Sequence, residues 1–321
     1  MNYAQNPIIN IIRQSKGLEP IDPSQLRDPR TLPSLTADAP LSLHDRVPIS
    51  PKHYILPFWG FEALMCLSTH IPLYIYGPSG TGKSSLIRWI ASQFDLPLYE
   101  VTGHSRLESP ELIGSYTLQH NSTVFQDGPL TMAMRHGGIF LINELSLLDP
   151  STTAGLNTVL DGQPLIIPET GEQVSPHSAF LFVATDNTNG QGDESGIFSG
   201  TLCQNQALMS RFVMLQASYM PQEEEEKLLE PLSLPSETVK ELVSFANLIR
   251  QSLTNSDTPL TNPITPRDVI QWGTLLKLYQ PLKDKIPQNL RLYTLNIAYI
   301  NRLSANDRSI VLNLYSTHFE D

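Results

Sequence analysis

The sequence predicts an α/β protein with a mostly parallel, five-stranded sheet, followed by an all-helical C-terminal part. Three observations lead there. Short apolar runs at residues 73–76, 96–101, 139–142, 179–184 and 212–216 read as strands; those at 139–142 and 179–184 are apolar throughout, like strands covered on both faces. Between the first two, residues 84–94 carry Leu86, Ile87, Ile90, Ala91 and Phe94 at helical spacing, so strand and helix alternate. After Met220 the strand signals stop and only helical ones remain.

Taken in order, residues 1–48 are polar and Pro-rich, with one short helical candidate at 8–13, and read as an N-terminal arm. Residues 49–218 hold the α/β part. An apolar stretch at 54–67 opens it, but Pro57, Gly60 and Glu62 break that stretch up too much for a membrane span. Trp59 and Phe61 read there as packing residues of a helix at 58–68. Residues 219–321 hold the helical part. Its first helix opens on Glu223, Glu224, Glu225 and Glu226, which read as first-turn acids favoured by the helix dipole. Val239, Leu242, Val243, Ala246, Ile249 and Leu253 form one helical face. Thr265-Pro266-Arg267-Asp268 has the Thr cap, the N1 Pro and the early acid of a helix start, and Ser304 with Asp307 gives a second such start.

Composition narrows the function. Hydrophobic residues are 40% of the 321, enough for a core and too many for wholesale disorder. The formal net charge of −11 argues against general binding to nucleic acid or anionic membranes. Cys66 and Cys203 make neither a disulfide framework nor a zinc CxxC pair. His104, His120 and His136 are scattered and read as loop or surface residues. No leader-like apolar segment opens the chain, so a soluble, cytoplasmic protein is expected.

The sharpest signal is Gly77-Pro78-Ser79-Gly80-Thr81-Gly82-Lys83-Ser84, which matches GxxxxGK[ST] in full between an apolar strand and a helix. Triphosphate is a dense anion. Glycines let successive backbone N–H groups curl around its oxygens, and the helix that follows presents free N–H groups and its positive dipole end. With Ser85 added, these nine residues are the candidate nucleotide-binding set. Lys83 is the charge for the terminal phosphates and Ser84 the hydroxyl for Mg²⁺. The strand at 139–142 runs into Asn143-Glu144, where a P-loop enzyme sets its metal and attacking water. Glu144 is the candidate base. Asn143 can hold a metal-bound water through its amide oxygen but brings no charge, so Asn143→Asp is expected to strengthen Mg²⁺ dependence. Asp186 is a weaker candidate for supplying that charge. Asn187 ends the next strand, where it can position the water. Arg211 can reach a neighbouring subunit's nucleotide, and Arg267 can fold over the γ-phosphate.

In this order the residues resemble an AAA+ ATPase: Walker A at 77–84, Walker B at 139–144, sensor 1 at Asn187, arginine finger at Arg211 and sensor 2 at Arg267. Residues 103–130 look like a helix-2 insert and 163–177 like a hairpin before sensor 1; together they resemble the MoxR and chelatase clade. Residues 187–200, with Asn205 and Arg211 after them, look most like the CobS-type ATPase subunit of cobaltochelatase. The resemblance implies a P-loop AAA+ three-layer core with a helical lid, ATP and Mg²⁺ as cofactors, and ATP at the subunit boundaries of a homo-oligomeric, hexameric ring. It also implies a partner protein carrying a von Willebrand A-type domain. Catalysis would rest on Glu144, Asn187, Arg211 and Arg267. The function expected is an ATP-hydrolysing motor that remodels a partner protein. The alternative is an ATP-binding switch or scaffold with little turnover, because position 143 is Asn.

Overall fold

The computed structural model describes residues 41–51, 53–119, 122–192, 200–252, 260–286 and 289–319. The arm up to residue 40 with its helical candidate at 8–13, His120, Leu253 and residues 193–199 of the CobS-like stretch lie outside the described residues. The described residues fall into two compact units. The first comprises residues up to 52 together with 56–77 and 82–217; the second comprises 53–55, 78–81 and the chain from 218 on.

In the first unit the chain runs through α1 (Leu41–His44), α2 (Gly60–Ser68), β1 (Leu73–Tyr76), α3 (Lys83–Gln93) and β2 (Leu98–Thr102). It continues through α4 (Ser109–Ile113), β3 (Gly114–Gln119), β4 (Ser122–Asp127), α5 (Pro129–His136) and β5 (Gly138–Asn143). Then come α6 (Pro150–Ala154), α7 (Asn157–Leu160), β6 (Leu165–Ile166), β7 (Gln173–Val174), β8 (Phe180–Asp186), α8 (Gln206–Met209) and β9 (Val213–Gln216). Five strands form one sheet in the order β2-β5-β8-β1-β9, with every pairing parallel. All six residues of β5 are buried, as the unbroken apolar run requires. Phe182 meets Phe140 and Phe212 edge to face, with ring centroids 5.1 and 5.8 Å apart.

The register decides where chemistry can happen. Asn143 lies opposite Thr102 on one side and Thr185 on the other, and Tyr76 lies opposite Asp186. The carboxyl ends of β1, β5 and β8 therefore end side by side. In an open parallel sheet this edge is where ligands bind.

Three details depart from or refine the sequence reading. β2 begins at Leu98, because Pro97 has no N–H to give the sheet; Pro97 only accepts, from the Ile139 amide at 2.8 Å. Residues 41–48 are not a free arm: Leu43 is buried in the core, the Arg46 carbonyl accepts from the Leu98 amide at 3.0 Å, and the Arg46 guanidinium lies 5.0 Å from the Tyr99 ring centroid. The segment 103–130 contains the β3–β4 hairpin, where Tyr116 and Phe125 pair edge to face at 5.5 Å. The Tyr116 hydroxyl also donates to the Glu169 carbonyl, at 3.2 Å, in the turn between β6 and β7.

The second unit holds α9 (Gln222–Leu228), α10 (Ser236–Ser252), α11 (Pro266–Tyr279), α12 (Leu290–Ala298) and α13 (Ala305–Phe319). Val239, Leu242, Val243, Ala246 and Ile249 are buried along α10 and pack with Phe245, Trp272, Tyr299 and Tyr315. Thr265 caps α11 in a reciprocal box with Asp268, and the Asp307 amide donates to Ser304 Oγ at 3.1 Å at the start of α13. The glutamate run opens α9 as its sequence reads, with Glu223, Glu224 and Glu225 in the first turn. Glu225 has a further role there: it is fully buried and bonded twice to Arg250. Among the described residues, no helix is long and apolar enough to cross a membrane.

Candidate nucleotide site

The loop from β1 into α3 is built by glycine. Gly77, Gly80 and Gly82 have φ of +143°, +78° and +89°, values that side chains resist. A Cβ on Gly77 would lie 2.1 Å from the Ala217 carbonyl oxygen. Gly82 is the N-cap of α3, and a Cβ there would project into open space. Thr81 Oγ1 donates to the Pro78 carbonyl at 3.0 Å, a local bond that holds the turn.

Lys83, the first residue of α3, is 8% exposed. Its ammonium donates to the Gly77 carbonyl at 2.7 Å and to Asn187 Oδ1 at 3.1 Å. Burial lowers its pKa to about 8, while the carboxylates of Glu144 and Asp186 oppose the drop. A phosphate ligand needs the protonated form. Nucleotide affinity is therefore expected to be about tenfold weaker at pH 9 than at pH 7, read by isothermal titration. Lys83→Arg should flatten that dependence, because guanidinium does not deprotonate there.

Asn143 is the hub of a polar chain. Its Oδ1 accepts from Ser84 Oγ at 2.5 Å and from Thr185 Oγ1 at 2.8 Å, and its Nδ2 donates to Glu100 Oε1 at 2.6 Å. Arg88 of α3 holds both oxygens of Glu100, sharing Oε1 with Asn143: Nη2 donates to Oε1 at 2.5 Å and Nε to Oε2 at 2.9 Å. The next residue, Glu144, has a left-handed backbone, φ +56° and ψ +50°. For a residue with a Cβ this is a strained conformation, of a kind that clusters at functional sites. Its carboxylate accepts from Asn187 Nδ2 at 3.0 and 3.3 Å. Burial first, then the Asp186 charge, raise the Glu144 pKa; Lys83 and the Asn187 bond only partly offset this. Asn187 thus stands between the two ionic groups, its oxygen toward Lys83 and its amide toward Glu144.

Asp186 does not serve the metal position. It is fully buried and accepts from the Ser146 amide, Ser146 Oγ and the amides of Asn187 and Thr188 at 2.5, 2.8, 2.7 and 3.3 Å. Its charge is spent on shaping the two loops that carry Glu144 and Asn187. The acid beside Asn143 is Glu100, which the sequence reading missed. The available signal was a carboxylate inside the strand Leu98–Thr102.

Lys83, Asn187 and Glu144 form one hydrogen-bonded chain, and Ser84 and Asn143 belong to a second at the same sheet edge. Arg211 is elsewhere, paired with Asp161 through Nε and Nη2 at 2.8 and 2.9 Å. Arg267 is exposed near the start of α11 in the second unit. Ser79, inside the glycine turn, and Ser85, in the first turn of α3, are exposed.

A glycine turn feeding a helix, a buried lysine and a polar strand end define a P-loop nucleotide site. The profile of the AAA domain, dynein-related subfamily, matches residues 72–212. The denitrification regulatory protein NirQ of Pseudomonas aeruginosa is 30% identical over 183 residues, covering 56% of this chain and 68% of NirQ. The aerobic cobaltochelatase subunit CobS of a Sinorhizobium species is 26% identical over 257 residues, 76% of this chain and 74% of CobS. Midasin of Dictyostelium discoideum is 30% identical over 237 residues, 70% of this chain but only 4% of midasin's length. The chain belongs to the AAA family of ATPase domains, in its dynein-related, MoxR-like branch. Proteins of this family generally act as oligomers.

Proposed function

We propose that the chain is the ATP-hydrolysing motor of an AAA ring, and that its turnover remodels or activates a partner protein. The convergence of Lys83, Ser84, Asn143, Glu144 and Asn187 at one sheet edge carries this reading. Residues 77–85 would hold the phosphates, with Lys83 donating to the β and γ oxygens. The donor set fits Mg²⁺, a hard ion that takes oxygen ligands. Ser84 gives its single hydrogen to Asn143 and so keeps its lone pairs for the ion; Asn143 would hold a metal-bound water once that water replaces the Thr185 hydroxyl on Oδ1. When bound, the metal neutralises charge on the phosphates. Glu144 takes the proton of the attacking water, and Asn187 orients that carboxylate. Arg211 acts on the neighbouring subunit's nucleotide and Arg267 on its own. The ring is a hexamer that works beside other proteins, among them one with a von Willebrand A-type domain; the likeness to a cobaltochelatase subunit supports work in the company of other subunits.

A second reading is favoured by the neutral Asn143: a switch or scaffold that binds ATP and hydrolyses little. Steady-state phosphate release decides between the two. Turnover that Lys83→Ala abolishes supports the motor; tight ATP binding without turnover supports the switch. The trans role of Arg211 has its own readout. Arg211→Ala and Lys83→Ala should each be inactive alone and should regain turnover when mixed, because one neighbour then supplies the loop and the other the arginine. Mixtures that stay inactive would confine Arg211 to its own chain.

A further inference from the structure

The surroundings of Asn143 explain why that position is not a carboxylate. An ionised carboxylate only accepts hydrogen bonds. Glu100, 2.6 Å from Asn143 Nδ2, therefore faces the amide's NH₂ and fixes its oxygen toward the hydroxyls of Ser84 and Thr185. The topology makes this approach possible. Thr102 pairs with Asn143 across β2 and β5, and Glu100 lies two residues earlier on the same face of β2. Arg88 anchors Glu100 from α3, the helix that begins with Lys83 and Ser84. The Glu100 side chain is 24% exposed.

We propose that Glu100 is a positioning residue on the magnesium side of this site. It locks the Asn143 amide so that Oδ1 takes the Ser84 hydrogen. Through that amide it also supplies the negative charge that an aspartate at 143 would bring directly. The inference rests on the reading that residues 77–85 bind ATP with Mg²⁺. It also reverses the sequence expectation for Asn143→Asp. An aspartate there would meet Glu100 carboxylate to carboxylate at hydrogen-bonding distance, and two like charges so close cannot both ionise freely.

The test measures binding of a fluorescent ATP analogue to the full chain, in EDTA and across a Mg²⁺ titration. Glu100→Gln should raise the Mg²⁺ concentration needed for half-maximal enhancement by about tenfold, the usual size of an outer-shell effect, and leave affinity in EDTA unchanged. Asn143→Asp alone should weaken the Mg²⁺ response. The double variant Asn143→Asp with Glu100→Gln moves the charge onto position 143 and should recover to within about threefold of wild type. A purely structural Glu100 would leave the double variant at least as damaged as Glu100→Gln. That result, a Glu100→Gln protein with a wild-type Mg²⁺ response, or an Asn143→Asp protein with a tightened one, would overturn the proposal. A wild-type chain that binds no nucleotide, or binds it indifferently to Mg²⁺, would instead sink the nucleotide reading beneath it.

Discussion

Glu144→Gln should cut phosphate release by at least about 100-fold, because a positioned general base contributes on that scale or more, while nucleotide binding stays within a few-fold of wild type. The amide keeps the length and shape of the side chain and can still accept from Asn187 Nδ2, so the cluster should hold its geometry. What it loses is the ability to take a proton from water. The same substitution should stabilise the fold. Burial and the Asp186 charge raise the Glu144 pKa above its ordinary 4.5, so at neutral pH the fold carries an ionised carboxylate it disfavours. For a group raised in this way, the stabilising contribution is present below about pH 4.5 and lost as pH rises through the folded value. The melting temperature of Glu144→Gln should therefore exceed that of wild type at pH 7, and the gap should narrow as pH falls toward 4.5. A variant that loses both turnover and stability would mean that Glu144 holds the strand end together, and its role as a base would need another witness. The left-handed backbone at Glu144 points the same way: a strained conformation at a disfavoured charge is what function, not folding, selects.

How much of this was legible in the chain depended on distance along it. The phosphate loop is local: eight consecutive residues with a strand before and a helix after, so motif and context can be read together. The strands at 139–142 and 179–184 are local too, because a strand covered on both faces has no choice but to be apolar. Glu100 is not local. In Leu98–Thr102 it reads as an ordinary polar residue of a half-exposed strand, and its meaning comes only from the pairing of β2 with β5. Asp186 is the converse case. It ends a strand beside the site, where the sequence suggests a ligand, yet four loop donors surround it. The hairpin at 114–127 is visible from sequence only as an insertion, since its Ser, Thr and Tyr residues carry no strong apolar alternation.

The helical unit offers a prediction of similar weight from a pair the sequence also disguised. Arg250→Ala should destabilise this unit by about 3–5 kcal/mol, the cost of leaving a buried charge without its partner. Glu225 is fully buried, and both of its oxygens are held by Arg250, at 2.6 and 2.7 Å. Arg250 is better supplied. It also donates to the Ile264 carbonyl at 2.9 Å and to Asn247 Oδ1 at 3.0 Å, and its guanidinium lies 4.4 Å from the centroid of the Tyr219 ring. Glu225→Ala should therefore cost less than Arg250→Ala, because the guanidinium keeps partners that the carboxylate lacks. Urea denaturation followed by Trp272 fluorescence reads this unit, with Trp59 and Trp89 of the other unit replaced by Phe. Arg291→Ala is the internal control. Its pair with Glu241 is partly solvated, 26% and 38% exposed, so the loss of that ion pair should cost at most about 1 kcal/mol. Arg291 also stacks on the Phe319 ring at 4.5 Å, so Glu241→Gln isolates the charge term cleanly. Replacing both buried partners, Glu225→Leu with Arg250→Met, removes two desolvated charges at once and should recover most of the loss. If Arg250→Ala proves no worse than Glu241→Gln, the buried pair is water-accessible in solution and carries no more than an exposed ion pair does.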